Sequence, residues 1–189
     1  MSVSSEDFYK KHITDVTEWQ KMGEAGIFPP ESHLELINGE IIEMAPIGSP
    51  HASHLNRLNK FFSILVQDIA IVAIQNPVRL DDLSEPQPDL TLLRPNSDFY
   101  YENHPTAKDI FLLIEVAGSS LKFDQTTKLR LYALHNIPEY WLLNINDSCI
   151  EVYRQPQQDS YAEKTTLRAG DKITLSQLEN ISIDLADML

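Results

Sequence analysis

Two acidic residues, Asp89 and Glu115, lie on segments with the character of buried strands. Asp89 opens the run 89–94, and Glu115 follows the apolar residues of FLLIEV at 111–116. An unbroken apolar run is typical of a strand buried on both faces, where a carboxylate is costly unless a charge or hydrogen bond meets it. If the two strands are antiparallel neighbours, the acids face each other, and their like charges destabilise the sheet.

A divalent cation would remove this conflict between the two acids. Carboxylates combined with a peptide carbonyl and water are the oxygen ligands that Mg²⁺ prefers, and the carbonyl of Val116 is a candidate third ligand. A metal with open positions lowers the pKa of a bound water and stabilises charge on a phosphate. This pattern therefore indicates hydrolysis of a phosphate ester.

A lysine near such a site would orient the attacking water or balance the developing negative charge. Lys108, Lys122 and Lys128 are close in sequence. Lys128 is favoured because it lies one turn into the helix after the Glu115 strand, four residues beyond Asp124, with which it can pair. A solvated helix position for Lys128 remains an alternative.

The elements that must position these residues can be predicted from local patterns. Helices are expected at 13–25, at 50–68 with Pro50 in the first turn, and at 124–136 with Asp124 as N-cap and nothing more. Asn38-Gly39 between two apolar runs predicts a type I′ hairpin over 34–44. Further strands are expected at 70–74, 78–81, 89–94, 110–116, 139–144 and 149–154, with a polar loop at 95–108.

This layout predicts an α/β (α+β) fold with a mixed sheet flanked by helices, an N-terminal helix and a β-hairpin. The 189 residues are within the usual range for one domain, taken as 1–189. The apolar stretch 61–74 is interrupted by Asp68, so no membrane span is expected. The start MSVSSEDFYKKH lacks an apolar segment typical of secretion, and the single cysteine, Cys149, fits a reducing cytoplasm and a buried structural thiol.

The net charge of −13 limits the classes of partner that the protein can bind. Sequence-independent DNA affinity comes from cations that neutralise phosphates, so an acidic chain is a poor candidate for general DNA coating. A local groove, or a metal that supplies the positive charge, stays compatible with this composition.

Three segments resemble a known family in their order and spacing: EPQPDLTLL (85–93), FLLIEVAGSS (111–120) and DQTTKLRLYALHNIPEYWLLN (124–144). They are similar to the PD-(D/E)XK nuclease superfamily and, more narrowly, to its Uma2 family of restriction-endonuclease-like proteins. The resemblance covers most of the chain, from the 34–44 hairpin to the 139–144 strand.

The resemblance implies a restriction-endonuclease-like fold and a DNA endonuclease in which Asp89 and Glu115 bind Mg²⁺ or Mn²⁺. The superfamily places its lysine two residues after the glutamate, where this chain has Ala117. In the narrower family the lysine comes from the next helix, which corresponds to Lys128. By analogy with enzymes that cut both strands of a duplex, a homodimer is expected.

Other interpretations of these residues remain open. Asp89 could be a turn residue after Pro-Gln-Pro, and Glu115 a solvated or arginine-paired acid at a strand end. The function could be that of a nuclease-fold binding or assembly module without catalysis, or a hydrolase of a small phosphorylated metabolite.

Several further side chains are candidates for a place in or near the site. His51 and His54 have a spacing that zinc could use, but nearby residues do not complete a tetrahedron, so they are taken as non-ligands. His51, or Glu35 or Glu40 of the hairpin, could still approach the edge of the pocket. Tyr140 and Trp141 are expected to be core aromatics rather than base-stacking residues.

Overall fold

The computed structural model describes residues 10–189, so residues 1–9, part of the segment on which the expectation about secretion rests, lie outside the described residues. The strands are β1 (Leu34–Ile37), β2 (Glu40–Glu43), β3 (Ile71–Ile74), β4 (Leu90–Leu93), β5 (Ile110–Ala117), β6 (Glu139–Asn144), β7 (Cys149–Gln157), β8 (Ser160–Leu167), β9 (Lys172–Leu175) and β10 (Leu178–Asp184). The α-helices are α1 (Val16–Glu24), α2 (Ser49–Val66), α3 (Leu121–Phe123) and α4 (Leu129–Leu134), and a π-helical turn (Asp124–Lys128) joins α3 to α4.

The core of the molecule is a six-stranded mixed sheet with the order β3-β4-β5-β6-β7-β8. Only the central pair, β5 and β6, is parallel, and the other neighbours are antiparallel. All eight residues of β5 are buried, as expected for an apolar run at the centre of a sheet covered on both faces. The predicted mixed sheet flanked by helices is confirmed.

Helix α2 covers one face of this sheet with a regular apolar stripe. Its buried residues are Leu55, Leu58, Phe62 and Val66, whose spacing of three and four keeps them on one side of the helix. The helix begins at Ser49, with Pro50 in its first turn, and ends at Val66, close to the predicted limits. The same core contains Trp141, and Tyr140 lies in the core of the opposite face, so both are core aromatics as predicted.

The predicted hairpin is present, with Asn38 and Gly39 as its two-residue turn between β1 and β2. Both turn residues have positive φ, 51° at Asn38 and 75° at Gly39, as a type I′ turn requires. The main chain of Gly39 bonds Leu83 and Thr14, and the main chain of Leu36 bonds that of Glu85. The hairpin is thereby fixed beside the segment that leads into β4.

Three predictions about secondary structure are wrong in detail. Residues 78–81 do not form a strand; only Arg79 forms an isolated bridge, with Thr106, because the segment leaves the sheet after β3. The first helix begins at Val16 rather than at residue 13, because the Asp15 side chain accepts the backbone N–H of Glu18 and caps it there. The N-cap role of Asp124 is also wrong, because the helix already begins at Leu121.

The C-terminal part adds strands that the sequence indicated only as short runs. Strand β8 extends the sheet beyond β7, and the β9–β10 hairpin packs its apolar side chains on the α2 face. The buried Glu139 carboxylate accepts the Ser176 N–H at 2.7 Å and thus ties β6 to the segment after β9. Cys149 is buried on β7, and burial raises the pKa of its thiol.

Helices of the described part of the chain are too short or too polar to cross a membrane.

Candidate active site

Asp89 and Glu115 meet at one end of the central sheet, although 26 positions separate them in the chain. The register pairs Leu90 with Ile114, so one further step places Asp89 opposite Glu115. The backbone N–H of Asp89 lies 3.4 Å from Oε2 of Glu115. Both residues are buried, at 7% and 3% exposure. The structure therefore brings the two predicted acids together, and neither is a solvated turn or strand-end residue.

Glu115 is held by two donors that come from the helical segment after β5. Its Oε1 accepts a hydrogen bond from the Lys128 ammonium at 2.9 Å and another from the Tyr132 hydroxyl at 2.7 Å. Since both strong contacts are made to Oε1, Oε2 keeps only the long contact with the backbone of Asp89. The second oxygen of Glu115 is therefore the one available for a further ligand.

Asp89 is held on both of its oxygens. Oδ2 accepts the backbone N–H of Val116 at 2.8 Å, while Oδ1 lies 2.9 Å from Nε2 of His51 and 3.2 Å from the amide nitrogen of Gln75. The hydrogen bond with Asp89 raises the pKa of His51 above its ordinary value, against the opposing effect of burial. The Asp89 carboxylate is thus fixed in orientation by groups from α2, β5 and the end of β3.

The carbonyl of Val116 points toward the same side as Asp89. The next carbonyl along the strand, that of Ala117, accepts the N–H of Ile145 on the β6 side. Successive residues of a strand direct their main-chain groups to alternate sides, and both groups of one residue share a side. The Val116 N–H bonds Asp89, so the Val116 carbonyl is directed to the Asp89 side as well.

Glu35 lies inside this site, whereas sequence patterns alone placed it no closer than the pocket edge. It lies on β1, is 4% exposed, and its Oε1 accepts a hydrogen bond from Lys128 at 3.0 Å. Its other oxygen, Oε2, is buried and has no hydrogen-bond partner among the described residues. Glu40, the other hairpin acid considered, is exposed and pairs instead with Lys11.

The Lys128 ammonium reaches the site from a π-helical turn. Within Asp124–Lys128 the chain makes the wider turn, and the Leu129 N–H bonds the carbonyl of Asp124, five positions back. Both Asp124 and Lys128 are buried at 2% exposure, so the solvated alternative for Lys128 is wrong. Of the other two lysines, Lys122 is exposed, and Lys108 is exposed at the start of β5, the end remote from Glu115.

The ammonium that bonds Glu115 comes from Lys128 and not from the position two residues after Glu115. That position is Ala117, fully buried on the same face of β5 as Glu115 and packed in the core with Leu131 and Tyr132. Lys128 reaches Glu115 from the helical segment after β5, and Ala117 keeps its place in this packing.

Negative charge exceeds positive charge in the cluster. Glu35, Asp89 and Asp124 all act on the Glu115 carboxyl group, and the Lys128 ammonium pairs with Glu35 and Glu115. Burial raises the pKa of Glu115 well above its usual range, and Asp89, Asp124 and Glu35 raise it further while Lys128 lowers it. Burial also raises the pKa of Asp124, to about 6.

Lys128 shows the opposite balance. Burial alone lowers the pKa of an ammonium, but Glu115, Glu35 and Asp124 outweigh this effect, and the pKa of Lys128 is raised. Lys128 is therefore charged at neutral pH and can donate hydrogen bonds but not accept a proton. The pKa of the Tyr132 hydroxyl is raised too, by burial and by Glu115, so it likewise serves as a donor.

The donor set fits a hard divalent cation bound through few protein ligands. Among residues 10–189, no group of three or more His, Cys, Asp or Glu side chains is placed to hold a metal ion. The available set is instead Glu115 Oε2, the Asp89 carboxylate and the Val116 carbonyl, all oxygens, as Mg²⁺ prefers. The unpartnered Glu35 Oε2 and the excess of carboxylates indicate that this site has room for another positive group.

The cluster forms the floor of an open cleft of about 710 Å³. Glu35, His51, Asp89, Glu115 and Lys128 all contribute to its lining. His54 lies outside that lining, so the two histidines do not act as a pair.

Sequence reasoning did not identify Tyr132 and Gln75, which hydrogen-bond Glu115 and Asp89 directly. Tyr132 falls four residues after Lys128, a spacing that places both on one helix face and could have indicated it. Gln75 gave no such signal, because it joins Asp89 only through the pairing of β3 with β4.

Residues 16–186 match the model of the Uma2 family, which is described as "Putative restriction endonuclease". A similar solved structure is that of a "putative nuclease belonging to DUF820" from Anabaena variabilis ATCC 29413. It superposes with a TM-score of 0.67 at 20% sequence identity, over 88% of this chain and 96% of the other. A search of curated proteins gives no match.

Proposed function

Because the chain belongs to the Uma2 family, we propose that it is a Mg²⁺- or Mn²⁺-dependent endonuclease that hydrolyses phosphodiester bonds in DNA. The observation that carries this proposal is the convergence of Asp89, Glu115 and Lys128 at one buried point that opens into a cleft. Two acids and one lysine at the end of a central sheet are the parts that metal-assisted phosphate hydrolysis needs.

Asp89, Glu115 and the carbonyl of Val116 would hold the cation. The cation, when bound, would supply a water of lowered pKa and charge stabilisation on the phosphate. The N–H of Val116 and the side chains of His51 and Gln75 fix the Asp89 carboxylate, and Tyr132 fixes Oε1 of Glu115. These contacts leave Glu115 Oε2 near the backbone of Asp89, where it would serve as the second carboxylate ligand.

Lys128 would assist as a hydrogen-bond donor and as a fixed positive charge. Its ammonium has a third hydrogen beyond those given to Glu35 and Glu115, and that hydrogen can orient the attacking water or meet a phosphate oxygen. Glu35 would be a positioning residue, because it holds the ammonium without itself contacting the phosphate. In hydrolysis the water loses a proton as its oxygen bonds to phosphorus, the bond to the leaving sugar oxygen breaks, and that oxygen gains a proton.

The test is cleavage of plasmid and linear DNA by purified protein, with Mg²⁺ or Mn²⁺ and with EDTA. Cleavage should require the metal, and Asp89→Asn and Glu115→Gln should each abolish it. Glu179→Gln, at an exposed acid on β10, is the matched control and should cleave like the wild type. Cleavage that survives both site substitutions would refute the proposal.

A folded binding or assembly module without catalysis is the second candidate. The observation that favours it is that Lys128 already bonds two carboxylates, in a chain with a net charge of −13. Titration calorimetry separates the two functions, because the module predicts a folded protein that binds neither Mg²⁺ nor Mn²⁺ at the cleft.

The homodimer belongs to the nuclease proposal and depends on the cutting of both strands of a duplex. Light scattering coupled to gel filtration would measure it. If the protein were a monomer at all concentrations tested, its cleavage activity would be that of a single-strand nuclease or of a nickase.

A further inference from the structure

The cleft above the carboxylate cluster has two chemically different parts. Its floor is made of acids and Lys128, as described above. One part of its rim is apolar, with Met44, Pro46 and Ile47 from the loop between β2 and α2 and Pro50 from the first turn of α2. Ile145 also lines the cleft, and the remaining lining includes polar residues such as Gln87, Ser119 and Asn146. Ile47 is 37% exposed, so its side chain is accessible to a molecule in the cleft.

The cleft also has few positive groups for a nucleic-acid backbone. Of its lining residues, all within 10–189, Lys128 is the only lysine or arginine, and it is 2% exposed and already bonded to Glu35 and Glu115. Duplex binding normally depends on several exposed cations that neutralise phosphates along the backbone. The net charge of −13 adds long-range repulsion for any polyanion.

Beyond the cation proposed to meet the reacting phosphate, the exposed apolar side chains of the Met44–Ile47 segment can supply contact to the rest of a nucleotide. In a duplex the faces of the bases are covered by their stacked neighbours, so apolar side chains on the rim cannot contact them. In an unpaired nucleotide the base can turn out of the chain and pack its face against protein side chains. A volume of about 710 Å³ is within the range of small-ligand pockets and can hold one nucleotide.

We propose that the cleft takes an unpaired nucleotide, with its base against the Met44–Ile47 rim and its phosphate at the floor beside Glu115. This inference rests on the proposed nuclease function and specifies its substrate class. Single-stranded DNA and single-stranded RNA share this chemistry. A preference for unpaired nucleotides would remove the argument from duplex cleavage for a homodimer, which is measured separately.

The experiment uses one 20-nucleotide sequence as single-stranded DNA, single-stranded RNA and duplex DNA, each with a fluorescent label. Binding is measured by anisotropy with the full wild-type chain and with Ca²⁺ in place of Mg²⁺ to prevent cleavage, and cleavage is measured with the wild type and Mg²⁺. Binding and cleavage of at least one single strand should exceed those of the duplex by roughly ten-fold or more, since unstacked bases alone can contact the rim. The two single-stranded substrates together identify the sugar that the site accepts.

The matched variants are Ile47→Ser on the rim and Ile64→Ser on α2, an isoleucine that is 64% exposed and lies outside the cleft lining. Ile47→Ser should weaken single-strand binding by roughly five-fold, as expected for loss of a buried aliphatic contact, and Ile64→Ser should not. Both positions are exposed, so the melting temperature should stay within the range of the wild type.

The outcomes separate the two proposals. The unpaired-nucleotide inference would be overturned if duplex were bound and cut as well as single strands. It would also be overturned if Ile47→Ser bound single strands as well as the wild type does. In both cases the nuclease function would stand. Single-strand binding that Ile47→Ser weakens, without cleavage of any substrate, would support the inference and overturn the nuclease function. Absence of both binding and cleavage would overturn both.

Discussion

The Lys128 ammonium lies 2.9 Å from Oε1 of Glu115, and both side chains are almost completely buried. A buried charge is tolerated only when it is paired and hydrogen-bonded, and here one ammonium is shared by Glu115 and Glu35. The pair is therefore a structural element and a candidate catalytic one at the same time. Substitutions can separate these two roles if stability and activity are both measured.

Lys128→Met should lower both stability and activity. Removal of the ammonium leaves two buried carboxylates without their shared partner, which costs roughly 3–5 kcal/mol in comparable buried pairs. Loss of one donor at the reacting phosphate should lower kcat by about 10²–10³-fold. Urea denaturation and DNA cleavage under the same buffer would measure the two effects. Lys122→Met, at an exposed lysine in the preceding helical turn, is the control and should change neither.

Glu35→Gln should reduce kcat more than it reduces stability. The amide keeps the shape of the side chain but removes one charged acceptor from Lys128, whose ammonium then becomes less well fixed. We expect kcat to fall about ten-fold with KM nearly unchanged, in the range for loss of one positioning contact. Glu40→Gln, on the neighbouring strand of the same hairpin, is the matched control. A rise in KM with unchanged kcat would show that Glu35 contributes to substrate binding and does not position Lys128.

The hairpin itself can be tested at its turn. Gly39 has a φ of 75°, and a Cβ at this position would collide with the Ile13 side chain. Gly39→Ala should destabilise the protein by roughly 1–3 kcal/mol, the usual cost of a strained backbone position. Because β1 carries Glu35, the activity should fall together with the stability. Gly23→Ala, at a helical glycine with open space around the added Cβ, should be neutral or slightly stabilising.

Sequence patterns predicted the secondary-structure elements that depend on neighbouring residues alone. Asn38-Gly39 specifies a type I′ turn by backbone preference alone, and the apolar spacing of α2 specifies its buried face. Residues 78–81 have strand-forming composition, yet a strand exists only where a partner strand pairs with it. That pairing is a property of the whole fold.

The candidate site was predictable only in its acids and its lysine. Asp89 and Glu115 could be placed together because antiparallel pairing of two recognisable strands brings their ends into contact. Glu35 converges on Lys128 through the docking of the hairpin beside the segment before β4, a long-range contact that no local pattern encodes. Asp124 was misassigned because an acid near a helix start suggests a cap, whereas Ser120 precedes the helix and Asp124 enters a π-turn.

Asp124→Asn should make the protein more stable at neutral and alkaline pH. Burial raises the pKa of Asp124 from 3.8 to about 6, so the folded protein disfavours its ionised form. A carboxyl whose folded pKa lies above the unfolded value stabilises the fold less as pH rises from about 4 to about 6, and above pH 6 the full penalty applies. A shift of about two pKa units corresponds to a penalty on the order of 3 kcal/mol.

The asparagine variant lacks this penalty because its side chain does not ionise. Its free energy of unfolding should exceed that of the wild type by roughly 2–3 kcal/mol at pH 7.5, and the difference should shrink to near zero as pH falls below about 4. Urea denaturation at half-unit pH steps from 3 to 8, without divalent metal, measures the difference. Asp68→Asn, at an exposed acid after α2, is the control and should show no such pH dependence. Equal stability of Asp124→Asn and wild type at pH 7.5 would mean that Lys128 fully compensates the buried carboxylate, in which case the cluster would tolerate a fixed negative charge at that position.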